Sequence, residues 1–204
     1  MNDRLNFLFN TNLLSPQHVK FLDSLKAQKI EPLVIYDIGA CTLDWYNEAY
    51  KHWNNSKYYL VDANSDLEYL YKKIPDNYYI GLLGKNNTEV SFYNYKALPH
   101  KSGTIKANLP VAFKEEKKFT ETLDEVVEKN NWPTPDLVKL DTSGTELDVL
   151  IGAKNTLQNT SHLIVNLEYS SGDNCITYLK STGWTLEANF DDNKLVGDFY
   201  FTKK

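Results

Sequence analysis

The chain has 204 residues, of which 42% are hydrophobic and 24% are charged. This length predicts one domain over residues 1–204, with an N-terminal arm and helix in residues 1–30. The formal net charge of -5 argues against a nucleic-acid partner, because affinity for phosphates comes from clustered lysine and arginine. The chain has two cysteines, no basic and apolar leader, and no apolar run of roughly 20 residues, so we expect a reduced, cytoplasmic protein without a membrane span.

Helices and strands alternate along the first half of the sequence. Pro16, in the first turn of a segment with spaced apolar residues, predicts a helix after a short arm. Short apolar runs rich in β-branched and aromatic residues predict buried strands. These strands are residues 33–36, 58–61 and 78–83. Helices are predicted over 44–53 and from Ser65, which has capping-box spacing to Glu68. Such alternation predicts a parallel sheet covered by helices on both faces.

The second half continues the alternation after a long loop. Residues 95–118 are too many for a simple connection, and we predict that they form a substrate loop. Thr122 and Glu125 then mark the start of a helix. The later elements are strand 137–140, helix 146–152, strand 163–167, a helix from about 175 to 183, and strands 184–190 and 197–202. The last two strands flank a polar turn, which predicts a C-terminal antiparallel hairpin.

Small and acidic residues follow the first two predicted strands. Ligands of an open parallel sheet bind outside the carboxyl ends of its strands. The first strand ends at Asp37 and continues into Gly39, Ala40 and Cys41, small residues that allow a sharp turn and close approach of a ligand. Asp62 ends the second strand, near the spacing of roughly 20 residues at which a carboxylate accepts hydrogen bonds from ribose hydroxyls. The pair predicts a nucleoside cofactor, although each part alone is also common in turns and caps.

Two further carboxylates, Asp141 and Glu168, end the fourth and fifth principal strands. A carboxylate beside a bound hydroxyl can accept its proton as attack develops, which typically contributes about 10²- to 10⁴-fold in rate. Either residue is therefore a candidate general base. Ser143 and Glu146 have the spacing of a capping box instead, which favours a structural role for both.

Among the four histidines, His100 is the candidate for a role near the substrate, because it lies in the central loop. His18 and His52 lie in predicted helices, and His162 precedes a predicted strand. We predict that these three face the opposite end of the sheet or solvent.

Neither metal binding nor nucleophilic cysteine chemistry is predicted. Histidine, cysteine and carboxylate residues show no metal-ligand spacing, although Asp141 and Glu168 could meet at one cation from separate strands. Cys41 lies in the turn after the first strand and Cys175 begins a peripheral helix, and neither has a base adjacent in sequence. Both are interpreted as small buried residues.

From about residue 33 to the C-terminus, the sequence resembles the FkbM-type methyltransferases. Asp37-Ile38-Gly39-Ala40 is similar to the family's Asp-Val/Ile-Gly-Ala motif. Thr122-Leu123-Asp124 and residues 138–153 are similar to its Thr-Leu-Asp, Lys-Ile-Asp-Val-x-Gly-x-Glu and Gly-Ala motifs, and this long match is the most specific. Residues 81–84 and 90–93 resemble the family's third strand and the small strand after it.

The resemblance implies a Rossmann-like class I methyltransferase fold with a mostly parallel seven-stranded sheet, and S-adenosylmethionine as the methyl donor. It also implies positions for the donor. Asp37, Gly39, Ala40 and Cys41 would line the methionine and ribose, Asp62 and Ala63 the ribose, Leu83 and Gly84 the adenine, and Asp141 the transferred methyl group.

The chain departs from the family at three places. Many relatives have Asn where this chain has Cys41 and Gly where it has Leu43. Relatives usually have an acidic or polar residue at the end of the third strand, where Leu83-Gly84-Lys85 has none. We therefore expect backbone groups to contact the adenine amine.

We expect methylation of a carbohydrate hydroxyl, such as that of a deoxyhexose like rhamnose in a glycan. Asp141 is the first candidate base and Glu168 the second. Tyr93, Tyr95, His100 and Lys101 are expected near the acceptor, because aromatic faces and hydrogen-bonding tips suit a sugar.

Two alternatives stay open at this stage. One is a methyltransferase for another acceptor, such as a phenol, a protein side chain or an RNA ribose. The other is a non-catalytic nucleoside-binding module of a larger glycan-modifying protein. An NAD-dependent dehydrogenase is disfavoured, because no full Gly-x-Gly-x-x-Gly follows the first strand.

Overall fold

The computed structural model describes residues 16–167, 172–189 and 197–203. The strands are β1 Val34–Ile38, β2 Lys57–Asp62, β3 Asn77–Ile80, β4 Leu82–Leu83, β5 Glu89–Asn94, β6 Lys114–Glu121, β7 Leu137–Leu140, β8 His162–Leu167, β9 Thr185–Asn189 and β10 Gly197–Thr202. The helices are α1 Pro16–Ala27, α2 Asp44–His52, α3 Glu68–Tyr71, α4 Leu123–Asn130, α5 Glu146–Gly152 and α6 Gly172–Ser181. Short 3-10 helices cover Ser65–Leu67, Pro99–Lys101 and Thr156–Gln158.

The main sheet has seven strands in the order β3-β2-β1-β7-β8-β10-β9. The pairs β1/β2, β2/β3, β1/β7 and β7/β8 are parallel, whereas β10 is antiparallel to both β8 and β9. The predicted fold class, including the final hairpin, is confirmed. Strand order reverses between β1 and β7, which is where open α/β sheets bind their ligands.

Helices cover both faces of this sheet, as the alternation predicted. On one face, α1 and α2 bury Phe21, Leu25 and Tyr46 against Ile35. On the other face, α4, α5 and α6 pack against the alternate side chains of the same strands. That second cluster includes Leu123, Val126, Val149, Leu150, Leu179, Tyr36 and Ile38. Adjacent strand residues point to opposite faces, so one strand contributes to both clusters.

A second, three-stranded sheet in the order β4-β6-β5 corrects two predictions. The predicted strand 78–83 breaks at Gly81, and β4 pairs with β6 instead of continuing β3. Residues 114–118 of the predicted loop lie in β6, so that loop ends at residue 113. The largely charged sequence of β6 hid the strand, because most of its residues are exposed or half-buried and lack an apolar repeat.

The helix starts were predicted with mixed success. Thr122 and Glu125 form the predicted capping box, in which each side chain accepts the other's backbone N–H. The box expected at Ser65 is wrong, because the Asn64 side chain accepts the amide of Asp66 and a 3-10 turn begins there. Asn64 serves equally well as a cap, since its side-chain oxygen reaches the backbone amide two residues further on.

A buried ion pair joins β1 to β7 at the centre of the sheet. Lys139 Nζ lies 3.1 Å from Asp37 Oδ1, and the exposed fractions of the two side chains are 8% and 0%. The same ammonium donates a hydrogen bond of 3.0 Å to the Gly39 carbonyl. Within the described residues, the Asp37 oxygens accept no hydrogen bond of good geometry, so this carboxylate depends on the charge of Lys139.

Burial and charge oppose each other in this pair. Burial raises the pKa of Asp37, and the neighbouring Lys139 ammonium partly offsets that rise. Burial disfavours the charged form of Lys139, yet Asp37 and Asp141 raise its pKa above the ordinary range. Lys139 therefore remains a cation, and its charge offsets part of the cost of burying the Asp37 carboxylate in the core.

Lys139→Met should lower the free energy of unfolding at neutral pH by about 3–5 kcal/mol, because it leaves the Asp37 carboxylate buried without a cation. The loss should shrink in acid. A carboxyl whose folded-state pKa is raised contributes full stability below its ordinary pKa of 3.8, and that stability is lost as pH rises through the raised value. Urea denaturation across pH measures both effects.

The double variant Asp37→Asn, Lys139→Met removes both charges and should recover much of the loss. A free energy of unfolding equal to wild type in Lys139→Met at neutral pH would contradict the role given to this pair.

Candidate functional site

The turn after β1 approaches β7 so closely that only glycine fits at its start. Gly39 has φ +77°, and a Cβ there would lie 1.8 Å from the carbonyl oxygen of Asp141. The amides of Gly39 and Ala40 both donate to the Val61 carbonyl, at 2.8 and 3.1 Å. The turn is thereby fixed between the ends of β7 and β2.

The family departures in this turn fall on left-handed residues. Cys41 has φ 44° and Leu43 has φ 70°. Asn and Gly, the residues that the family resemblance leads us to expect at these positions, adopt this conformation more readily than other residues. Here the chain follows the left-handed path with less suitable residues.

Asp62, at the end of β2, holds this turn and faces a cavity. Its Oδ2 accepts the amide of Cys41 at 2.8 Å, and its Oδ1 accepts the amide of Asn64 at 2.7 Å. Burial raises the pKa of Asp62, while these two amides lower it. Each carboxylate oxygen has a second lone pair, so Asp62 can accept ribose hydroxyls while it holds the backbone.

The first cavity, of about 680 Å³ including its open mouth, lies over the ends of β1, β2 and β7. Val61, Leu82, Leu83 and Phe92 supply apolar walls, and Asp62 lies on the same surface. Apolar walls beside the oriented carboxylate of Asp62 suit a nucleoside.

The loop after β5 carries His100 to this cavity. Tyr93 and Gly103 exchange two backbone hydrogen bonds, at 2.8 and 3.1 Å, and Ser102 Oγ accepts the amide of Tyr95 at 2.9 Å. The loop is closed on itself by these bonds. Pro99, His100, Ser102, Gly103 and Thr104 consequently form one cavity wall.

A second cavity, of about 1030 Å³ including its open mouth, adjoins the first. The two share four wall residues, which are Gly39, Cys41, His100 and Asp141. Six of its eight other wall residues have polar side chains. They are His18, Thr42, Asp44, Lys139, Asn166 and Asp198.

His18 lies in this second cavity, so the prediction that it faces away from the site is wrong. Its Nε2 is 2.6 Å from Asp198 Oδ2, and Asp198 Oδ1 accepts a hydrogen bond of 3.0 Å from Asn166. The hydrogen bond to Asp198 raises the pKa of His18, against the effect of burial. The predicted C-terminal hairpin did contain a signal for Asp198, the partner of His18. Because β10 runs antiparallel to β8, the first residues of β10 lie at the carboxyl end of the sheet.

The segment after Asp141 is organised by Glu146, which is 1% exposed. Its carboxylate accepts the amides of Thr142 and Gly144, at 2.9 and 3.0 Å. The predicted capping box between Ser143 and Glu146 is wrong, because the Ser143 hydroxyl donates to the His100 carbonyl instead, at 3.4 Å. Glu146 is structural, as expected, and it fixes the loop that presents Asp141.

Most of the predicted donor residues lie on the two cavities. Asp62, Ala63 and Leu83 lie on the first, Ala40 on the second, and Gly39, Cys41 and Asp141 on both. Asp37 lies outside both, because its carboxylate is buried against Lys139. Gly84 also lies outside, since it packs against Thr120 and Gly152.

Three of the four predicted acceptor residues lie outside both cavities. Tyr95 is fully buried and donates its hydroxyl to the Ala107 carbonyl at 2.9 Å. Tyr93 packs edge-on against the ring of Phe113, and the exposed Lys101 ends a 3-10 turn beyond the cavity wall. Only His100 of these four is on the cavity surface. Glu168 lies outside the described residues.

The described residues contain neither a metal-binding cluster nor a membrane-spanning helix. Within residues 16–167, 172–189 and 197–203, no group of three or more His, Cys, Asp or Glu side chains is arranged to hold a metal ion. None of the helices in that part of the chain has the length and apolar character needed to cross a membrane.

Comparison of the chain with known proteins identifies its family. Residues 37–184 match the family described as the Methyltransferase FkbM domain. No curated protein is similar enough in sequence to be matched. Precorrin-6y C5,15-methyltransferase from Geobacter metallireducens GS-15 has a similar structure, with 14% identity, a TM-score of 0.53, and coverage of 96% of this chain and 92% of that chain. A Staphylococcus aureus protein assigned as a caffeoyl-CoA O-methyltransferase has 10% identity, a TM-score of 0.56, and coverage of 100% and 93%.

The likeness to these two structures concerns the fold alone, whereas the family match identifies the protein. The matched segment contains the turn after β1, Asp62, and the loop from Lys139 to Glu146. This chain belongs to the FkbM family of methyltransferases, and its methyl donor is S-adenosylmethionine.

Proposed function

We propose that the protein methylates a hydroxyl group of a carbohydrate, with a deoxyhexose such as rhamnose in a glycan as the favoured acceptor. The observation that carries this proposal is the second cavity, which is lined by several hydrogen-bonding side chains and meets the donor cavity at Asp141. A glycan acceptor requires a wide surface with many hydrogen-bonding groups, and this cavity supplies one.

The first cavity is suited to the adenosine part of the donor. Asp62 would accept the ribose hydroxyls, and Leu83 and Phe92 would enclose the base. Gly39 lies at the junction of the cavities, and without a side chain its backbone can pass beside the Asp141 carbonyl on the way to the ribose and sulfur.

The second cavity is suited to hydroxyl groups rather than to a flat apolar ring. Asp198 fixes His18 and Asn166 by direct contacts, so their side chains are held in place before a substrate arrives. Such fixed donors and acceptors bind hydroxyls with little loss of conformational freedom. Trp45 contributes the main aromatic surface but is only 5% exposed.

Asp141 is the group that we assign as the general base. S-adenosylmethionine supplies the sulfonium methyl group that is transferred. The Asp141 side chain is 42% exposed and lies at the junction of the cavities, with Lys139 Nζ 3.9 Å from its Oδ2. Asp141 would accept the acceptor's hydroxyl proton, and Lys139 would orient the carboxylate. Glu168 stays the second candidate base.

Asp141→Asn should lower kcat about 10²- to 10⁴-fold, because the amide cannot accept the hydroxyl proton. The affinity for S-adenosylhomocysteine, measured by calorimetry, should change far less. Transfer of labelled methyl groups to rhamnose-containing oligosaccharides measures the rate. Asp148→Asn is the matched control, because Asp148 pairs with Lys85 on the exposed side of α5.

The proposal on the acceptor fails if the wild-type protein methylates phenols, peptides or RNA but none of the sugars. Equal rates in Asp141→Asn and wild type would remove Asp141 as the base.

His18→Ala should raise KM for the glycan at least several-fold while leaving the affinity for S-adenosylhomocysteine nearly unchanged, because His18 contacts Asp198 on the β8 and β10 side of the second cavity and does not line the first. Asp198 holds the ring as a protonated donor, with Asp141 favouring and Lys139 opposing the charge. The wild-type KM should therefore increase as pH rises through the raised pKa of His18, and this dependence should vanish in His18→Ala. Initial-rate kinetics across pH provide the measurement. If His18→Ala and the wild type have the same KM for the glycan, the glycan binds elsewhere.

A further inference from the structure

Asp44, the first residue of α2, lines the second cavity. Its Oδ2 accepts a hydrogen bond from the Thr42 hydroxyl, which fixes the rotamer. Its Oδ1 is buried and accepts no hydrogen bond from the described residues. A buried acceptor without a partner is costly, so an oxygen in this position is complete only when a ligand donates to it.

The two cavities define where the donor's amino-acid tail must go. The nucleoside lies against Asp62 and the apolar wall of the first cavity, and its reactive sulfur must reach Asp141 for methyl transfer. The tail is bonded to that sulfur, and beyond Gly39 and Asp141 the continuous space is the second cavity. Asp44 and Thr42 lie on this continuation and not on the first cavity.

The charge around Asp44 favours a cation. Asp44, Asp141 and Asp198 contribute carboxylates to the second cavity, and the Lys139 charge is engaged by the buried Asp37. The tail carries one ammonium and one carboxylate. The ammonium can donate to Oδ1 of Asp44, whereas a carboxylate beside Asp44 would meet like charge.

We propose that Asp44 binds the α-ammonium group of S-adenosylmethionine through Oδ1. This inference rests on the donor and is independent of the acceptor. It gives the reaction a second charged anchor, at the opposite end of the donor from Asp62, so that the sulfonium methyl is fixed between two carboxylates.

The test removes one group from the protein and one from the ligand. Calorimetry compares S-adenosylhomocysteine with 4-(5′-adenosylthio)butanoate, which lacks only the amino group. Asp44→Asn should weaken S-adenosylhomocysteine about 10- to 100-fold, because it removes a charge-assisted hydrogen bond. The affinity for the deaminated ligand should be nearly the same in Asp44→Asn and wild type.

Asp62→Asn is the matched control, since both ligands keep the ribose and should lose affinity equally. Asp44 could instead act only on the helix, where an acidic residue in the first turn of α2 is favourable. That explanation predicts a lower melting temperature and no dependence on the ligand's amino group. Equal losses for both ligands in Asp44→Asn, or no loss for either, would overturn the proposal.

A further comparison needs only the wild-type protein, so it does not depend on the folding of the variant. The wild type should bind the deaminated ligand at least about tenfold more weakly than S-adenosylhomocysteine. Equal affinities would overturn the proposal. A failure of the carbohydrate acceptor leaves all these affinities intact, so the two failures are distinguishable.

Discussion

The close contact between the ends of β1 and β7 is the constraint on which the rest of the site depends. Gly39 has no room for a side chain beside the Asp141 carbonyl, and Lys139 binds both the Gly39 carbonyl and the buried Asp37. Steric exclusion sets the distance between the strands, and one buried ammonium holds them at that distance. The proposed donor and base positions are consequently fixed by the sheet itself rather than by flexible side chains.

This contact also explains why two cavities meet there. Where strand order reverses, the connections from β1 and β7 leave toward opposite faces of the sheet, which opens a crevice between them. One side of the crevice is walled by β2 and the small sheet, with apolar side chains and Asp62. The other is walled by α1, β8 and β10, with charged and polar side chains. The different composition of the two walls underlies the assignment of nucleoside to one and hydroxylated acceptor to the other.

The sequence predicted the part of the site that parallel strands build. Each parallel strand delivers its last residue to one edge of the sheet, so Asp62 and Asp141 could be placed together from their positions alone. Asp37 obeyed the same rule but was misassigned, because sequence does not reveal that the buried cation of Lys139 is its partner. His18 and Asp198 escaped prediction for another reason. Their place depends on the packing of α1 and on an antiparallel strand, which brings its first residues to that edge instead of its last. Among the acceptor residues chosen for their chemistry, Tyr95 is buried within the loop after β5, where its hydroxyl donates to the Ala107 carbonyl.

The turn after β1 shows how binding and strain are coupled. A left-handed conformation costs roughly 1–2 kcal/mol for an ordinary residue, and this turn has two such residues in Cys41 and Leu43. The backbone is held there because Asp62 accepts the Cys41 amide and the Tyr71 hydroxyl donates to the Cys41 carbonyl, at 2.8 and 2.6 Å. Leu43, fully buried, is held by packing. The carboxylate assigned to the ribose therefore also maintains the turn that leads into Asp44.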